Sequence, residues 1–416
     1  MRLRFIAVMV IGLMGAGLVR GDWPQFEGPS RTGLASGETH LARSWPTGGP
    51  TVLWTVNLGE GFGGPAIVDG QVFVLDRQGN EKDVLRVFDL ASGKELWSTG
   101  YEAAGKLDYN GSRSTPTVDI QHVYTVGPFG QVTCFDRKTH QIIWQETLAQ
   151  LGGKRPNWGI SQSPLLVGDH LIVAPQGPEA GLAALDKNTG KVIWKSPGIG
   201  KPGYVSPILT EVDGKRQVVM VTTDRVVGVD PATGQILWTY GGFHCSIPIP
   251  APTPLGDGKF FLTAGYNTGS MVFQVTPAGG QNRGYQVQEL AKNKKTGSQV
   301  HPAILYRGYL YLGCRTNNFE HGLTCLDQQA QVKWQTDHNP AFDRGGYLLA
   351  DGLLYVVGGQ TGDLVLVDPQ PTGYKELGRV HLLSGKNIWG PLAISGGKLI
   401  IRDQKQMKCV EVGTGN

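Results

Sequence analysis

Nine side chains able to hold a ligand recur at comparable places along this chain: Arg113, Asn157, Trp158, Gln162, Tyr204, His244, His301, Arg344 and Trp389. Each stands in the stretch just ahead of a strand-like run, and most of those runs open with proline. Guanidinium groups grip anions through a fixed fork of N–H donors, and indole and phenol rings offer flat faces to planar groups. Together with Phe62, ahead of Pro65, they suit an anionic or planar ligand, or a peptide. Carboxylates are scarce there. Asp343 is nearly alone, with Asp108 and Glu102 in the loop ahead of Arg113 as groups that could reach in. A hard cation such as calcium wants about six or more oxygens including carboxylates, so no metal ligand and no catalytic residue is assigned. A blander role competes for the rings: Trp158, Tyr204 and Trp389 could simply plug a channel and pack its loops.

The elements that would gather these side chains are repeated. Pro65, Pro116, Pro164, Pro207, Pro254, Pro302 and Pro391 open aliphatic runs at spacings of 51, 48, 43, 47, 48 and 89 residues. The longest interval holds two units, the second starting at Gly346-Tyr-Leu-Leu-Ala-Asp-Gly, which makes eight. A second mark recurs inside the units: Asp89 to Trp97, Asp186 to Trp194 and Asp230 to Trp238 each read Asp, two residues, Thr or Ser, Gly, three residues, Trp. Asp136 to Trp144 keeps the length but has His140 for Gly, and Asp327 to Trp334 is one residue shorter. The Asp carboxylate can accept backbone N–H groups across a tight turn and the Gly supplies a positive φ. Trp97, Trp144, Trp194, Trp238 and Trp334, with Trp54 at an equivalent place, are expected to wedge against the neighbouring unit.

Each unit carries four short strands with turn signals between them. Eight such units of about 40–50 residues predict an all-β, eight-bladed β-propeller of four-stranded antiparallel blades. The strand at about 51–57, which has Trp54 but no strands of its own before it, is expected to close the ring by completing the last blade. In this topology the connections between blades run along one face, so the residues ahead of the prolines converge on the mouth of the central channel.

Composition agrees with a turn-dense globular chain. Of 416 residues, 61 are Gly and 25 are Pro, about a fifth against roughly 12 % in average proteins. A formal charge of +4 is too mild to argue for nucleic acid. Arg2 and Arg4 precede an apolar run of 15 residues, Phe5 to Val19, shorter than the roughly 20 needed to span a bilayer. Residues 1–21 therefore read as a secretory signal, 22–50 as an extended strap anchored by Trp23 and Phe26, and 51–416 as the propeller. With no Cys near the boundary for lipid attachment, the expectation is a periplasmic or secreted protein, monomeric and without a transmembrane segment. The five cysteines are isolated, and Cys134, Cys325 and Cys409 fall at equivalent strand positions, as small core residues do. No zinc-type His spacing, nucleophile elbow or P-loop occurs. The run from Lys292 to Gly297 reads as a solvated basic loop.

The Asp-x-x-Thr-Gly-x-x-x-Trp turn resembles the tryptophan-docking motif of quinoprotein-type, PQQ-like-repeat propellers. That superfamily includes the pyrroloquinoline-quinone (PQQ) alcohol dehydrogenases and the propeller subunit of the outer-membrane β-barrel assembly machinery. The likeness covers about 51–412 and implies the fold more than an activity. In the dehydrogenases a catalytic Asp, a calcium held by Glu and Asn, and a disulfide between adjacent cysteines surround the cofactor; this chain has no Cys-Cys pair. The resemblance therefore implies a non-catalytic envelope protein that binds a protein or cell-envelope component. Two alternatives stand beside it: a PQQ- and calcium-dependent alcohol or sugar dehydrogenase, and a propeller binding a small molecule or polysaccharide.

Overall fold

The computed structural model describes residues 21–279, 284–317 and 319–414, so the expected leader lies almost entirely outside the described residues. The chain forms eight antiparallel sheets in sequence order, at 66–102, 117–147, 165–195, 208–240, 253–293, 304–335, 347–381 and 393–411. We number these blades 1 to 8. Seven hold four consecutive strands of their own; blade 8 has three and takes Val52–Asn57 as its outermost strand, with Trp54 opposite Cys409. The ring is thus closed by the strand that the sequence singled out. Among the described residues there is no helix.

The tryptophans show how neighbouring blades meet. The indole N–H of Trp54, Trp144 and Trp194 donates to the carbonyl of Leu90, Lys187 and Pro231, at 2.9, 3.0 and 3.1 Å. Each acceptor directly follows the turn Asp of the next blade. The turn Gly explains the spacing, because a Cβ on Gly93, Gly190 or Gly234 would lie within 2.8 Å of the facing indole. In blade 2, His140 replaces that Gly yet keeps the left-handed backbone, φ 64°, and its ring stacks on Trp97 at 4.5 Å. Trp334 reaches the Gln370 carbonyl at 2.8 Å. Trp238 faces the irregular blade 5; it bonds Gln217 of its own blade at 2.6 Å and packs against Phe260 and Phe273.

Across the strand pair from five of these rings sits a small residue, whereas Trp97 faces Val87. Cys134, Cys325 and Cys409 pair with Trp144, Trp334 and Trp54, as Ala184 pairs with Trp194 and Gly228 with Trp238. All five cysteines are buried and unbridged. Cys314 and Cys325 do not face each other, because the register sets Cys314 opposite Gly322 and Tyr311 opposite Cys325.

Residues 22–41 follow a path that the sequence did not specify. They line the inner edges of the blades, where the first strands leave N–H and C=O groups unpaired. Trp23 and Ile67 of blade 1 exchange two backbone bonds of 2.8 Å, and Val118 N of blade 2 donates to Pro24 O. Arg31 donates to the carbonyls of Ser163, Pro164 and Pro207, at the starts of blades 3 and 4. Leu34–Ala35 adds a parallel strand to blade 7, and the Glu38 carboxylate accepts N–H bonds from Gly396 and Gly397 of blade 8. One segment thereby stitches six of the eight blades.

Candidate functional site at the channel mouth

The mouth is built from two kinds of segment. One is the connections between blades; the other is the turns between the second and third strands of a blade, which the antiparallel order returns to the same face. Between them lies a cavity of about 350 Å³. Six of the nine sequence-selected residues line it: Arg113, Trp158, Tyr204, His301, Arg344 and Trp389, as does Phe62. Three do not. Asn157 is exposed beside it. Gln162 is buried and spends its amide on the backbone of Ala174, donating to the carbonyl and accepting from the N–H, both at 2.6 Å. His244 faces a neighbouring groove.

Two clusters of rings wall the cavity. Phe62 and Trp389 stack at 5.3 Å with 28° between planes, and Tyr109 leans on Trp389 at 5.6 Å. A second cluster is formed by Trp158 and Tyr204, 5.8 Å apart, with the backbone N–H of Trp158 donating to the Tyr204 hydroxyl at 3.4 Å. Burial pushes the Tyr204 phenol above its ordinary range. It therefore stays neutral and able to donate at pH 7.

Two cations lean on the first cluster. Arg344 lies over the Trp389 ring, 4.9 Å from its centre, and bonds Gln299. Arg113 sits 5.9 Å over Phe62. Its Nη2 donates to the backbone carbonyls of Asp108 and Tyr109, while the buried Nη1 has no partner. Desolvation brings the Arg113 guanidinium down to about 10, which leaves it charged at neutral pH. A half-buried cation whose hydrogen bonds go to carbonyls, with a donor to spare, has the chemistry to receive an anion.

The carboxylates offset this charge only in part, and none reaches Arg113. Asp343 pairs with Arg315 at 3.0 Å and Arg344 at 3.4 Å, and accepts the Trp389 indole N–H at 3.3 Å. Asp108 contributes its carbonyl to Arg113. Glu102 turns outward to Lys82 at 3.2 Å. A calcium–quinone centre does not fit these residues, because a divalent ion at Asp343 would face two guanidinium groups where it needs several further oxygens.

Sequence reasoning passed over Tyr109, Tyr266 and Phe26, which also line the cavity. Tyr266 belongs to the strand-2 to strand-3 turn of blade 5, Gly265-Tyr-Asn-Thr-Gly269, and the glycines there were the available signal. Phe26 was expected as an anchor of the strap and instead becomes part of the wall.

Fold and repeats define the class: the described residues form an eight-bladed β-propeller of four-stranded blades, whose Asp-to-Trp turns resemble those of PQQ-like-repeat propellers. Residues 80–241 match the family described as "Outer membrane protein assembly factor BamB". The chain is similar to the protein of that name from Yersinia pestis, 26 % identical over 51 % of this chain and 52 % of the relative. It thus spans about half the length of that curated relative. In structure it is similar to BamB from Moraxella catarrhalis, with TM-score 0.63 and 14 % identity over 88 % of this chain and 98 % of that one. It is equally similar to quinohemoprotein alcohol dehydrogenase from Comamonas testosteroni, with TM-score 0.65 and 14 % identity over 96 % and 82 %. At such identities the structural likeness speaks for the fold alone. No helix among the described residues is long and apolar enough to cross a membrane.

Proposed function

We infer that this chain is a non-catalytic binding propeller of the cell envelope, exported by its leader, whose partner or ligand seats a planar, negatively charged group at the channel mouth. The observation that carries this reading is Arg113, a half-buried cation with a buried, unpartnered Nη1 among aromatic walls. The assembly-factor relatives support a protein partner. The quinoprotein relatives support a second reading, a PQQ-dependent oxidoreductase acting on an alcohol or sugar, against which stands the engagement of Asp343 by two arginines.

One titration separates them. The purified protein should bind 2-naphthoate saturably and 2-naphthylmethylammonium at least about tenfold more weakly, because only the anion finds a complementary charge. Equal affinity for the two would overturn the charge argument. With PQQ and calcium, dye-linked alcohol oxidation should not appear; its appearance would establish the oxidoreductase instead.

A further inference from the structure

Beside the aromatic cavity lies a second, larger recess of about 540 Å³, bordered by Lys201, His244, Lys292 and Lys294. Tyr266 lines both. The two are therefore adjacent compartments of the mouth face, with this tyrosine as a wall of both. Resting on the reading of the mouth as an anion site, we propose that this site holds an extended acidic protein segment: an aromatic residue enters the cavity, and the carboxylates that follow it run past Tyr266 along the three lysines.

The charges of the recess are available. None of Lys201, Lys292 and Lys294 has a carboxylate within ion-pair distance among the described residues. The one acid of the recess, Asp224, is occupied by Arg225 at 3.4 Å, the Thr222 hydroxyl and the N–H of Lys201. Lys292 and Lys294 belong to the basic run that the sequence presented as a solvated loop. They stand at the end of blade 5's outer strand, on the mouth face.

Backbone geometry marks the same place. Tyr266 and Asn267 are consecutive left-handed residues, φ 54° and 61°, and Tyr109, which also lines the cavity, has φ 55°. Bulky side chains adopt this region at a cost, and such outliers gather at binding sites. Here they set two phenol rings at the edges of the cavity.

The occupant must therefore present a flat apolar group and a row of anions at different points of one flexible chain. A protein segment with an aromatic residue next to several acidic ones does so. A single small anion would fill one compartment only.

Fluorescence anisotropy with labelled peptides tests this at about 0.05 M salt, where surface charges are weakly screened. A peptide of one phenylalanine followed by four glutamates should bind at least about tenfold tighter than one followed by four serines. That advantage should vanish in the Lys292→Glu/Lys294→Glu variant, while the serine peptide keeps its affinity. Equal binding of the two peptides would remove the lysine recess from the site and leave the anion reading of the mouth intact. If alanine followed by four glutamates binds as tightly as the phenylalanine peptide, the recess is a separate anion site and the proposal fails. Absence of peptide binding alongside saturable 2-naphthoate binding would overturn the peptide proposal alone; absence of both would overturn the reading beneath it as well.

Discussion

Trp194→Ala should lower the free energy of unfolding by about 3–5 kcal/mol, the usual cost of deleting a large buried ring. The indole is 8 % exposed. It crosses from blade 3 to blade 4, where its N–H meets the Pro231 carbonyl and its face covers Gly234. Truncation opens a void between two sheets whose strand pairing stays inside each blade, so little else there can compensate. A companion substitution attacks the same contact from the other side. In Gly234→Ala the new Cβ would stand 2.5 Å from the ring on a backbone at φ 76°, so it too should destabilise. Thermal and denaturant unfolding of both variants measure this. Melting curves like that of the parent would mean that the tryptophans do not join the blades.

Arg31→Ala should cost about 3 kcal/mol or more, because hydrogen bonds to a charged group contribute about 1.5–3 kcal/mol each and their loss strands buried acceptors. The guanidinium is 4 % exposed and serves carbonyls of two blades, with Gln25 holding its Nε at 2.9 Å. Burial lowers it to about 9, so the charge survives at neutral pH. Arg31→Lys should recover only part of the loss, since one ammonium lacks the planar fork that reaches several carbonyls at once. Denaturant unfolding of both variants, read against the parent, gives the two losses. If alanine at this position leaves stability unchanged, residues 22–41 merely rest on the ring.

The ring was legible in the sequence because its marks are local. An Asp, a Gly four residues on and a Trp four beyond that are read from the chemistry of one turn, and prolines open seven of the eight blades. The decayed turns were legible as well, since His140 could keep the left-handed backbone of the Gly it replaces. The path of residues 22–41 was not. It is fixed by free strand edges and by carbonyls at positions 163, 164 and 207, which are brought together only when the ring has closed. At the mouth, the connections between blades could be picked out by their prolines, and six of their nine chosen residues reach the cavity. The turns between second and third strands also face that side, but the glycines flanking Tyr266 mark a turn and not which of its side chains enters the cavity. Gln162 shows the limit within the connections themselves. A side chain in the right stretch can still turn inward to satisfy a buried backbone, here that of Ala174.

The central claim, that the mouth receives an anion and is not a packed plug, is tested most directly by calorimetric titration of 2-naphthoate into the parent and into Arg113→Ala/Arg344→Ala, with melting curves of both. We predict saturable binding to the parent, about 100-fold weaker binding to the variant as two charge-assisted contacts are lost, and melting temperatures within a few degrees of each other. Undiminished affinity in the variant, or a loss of binding that only accompanies an equal loss of stability, would contradict it.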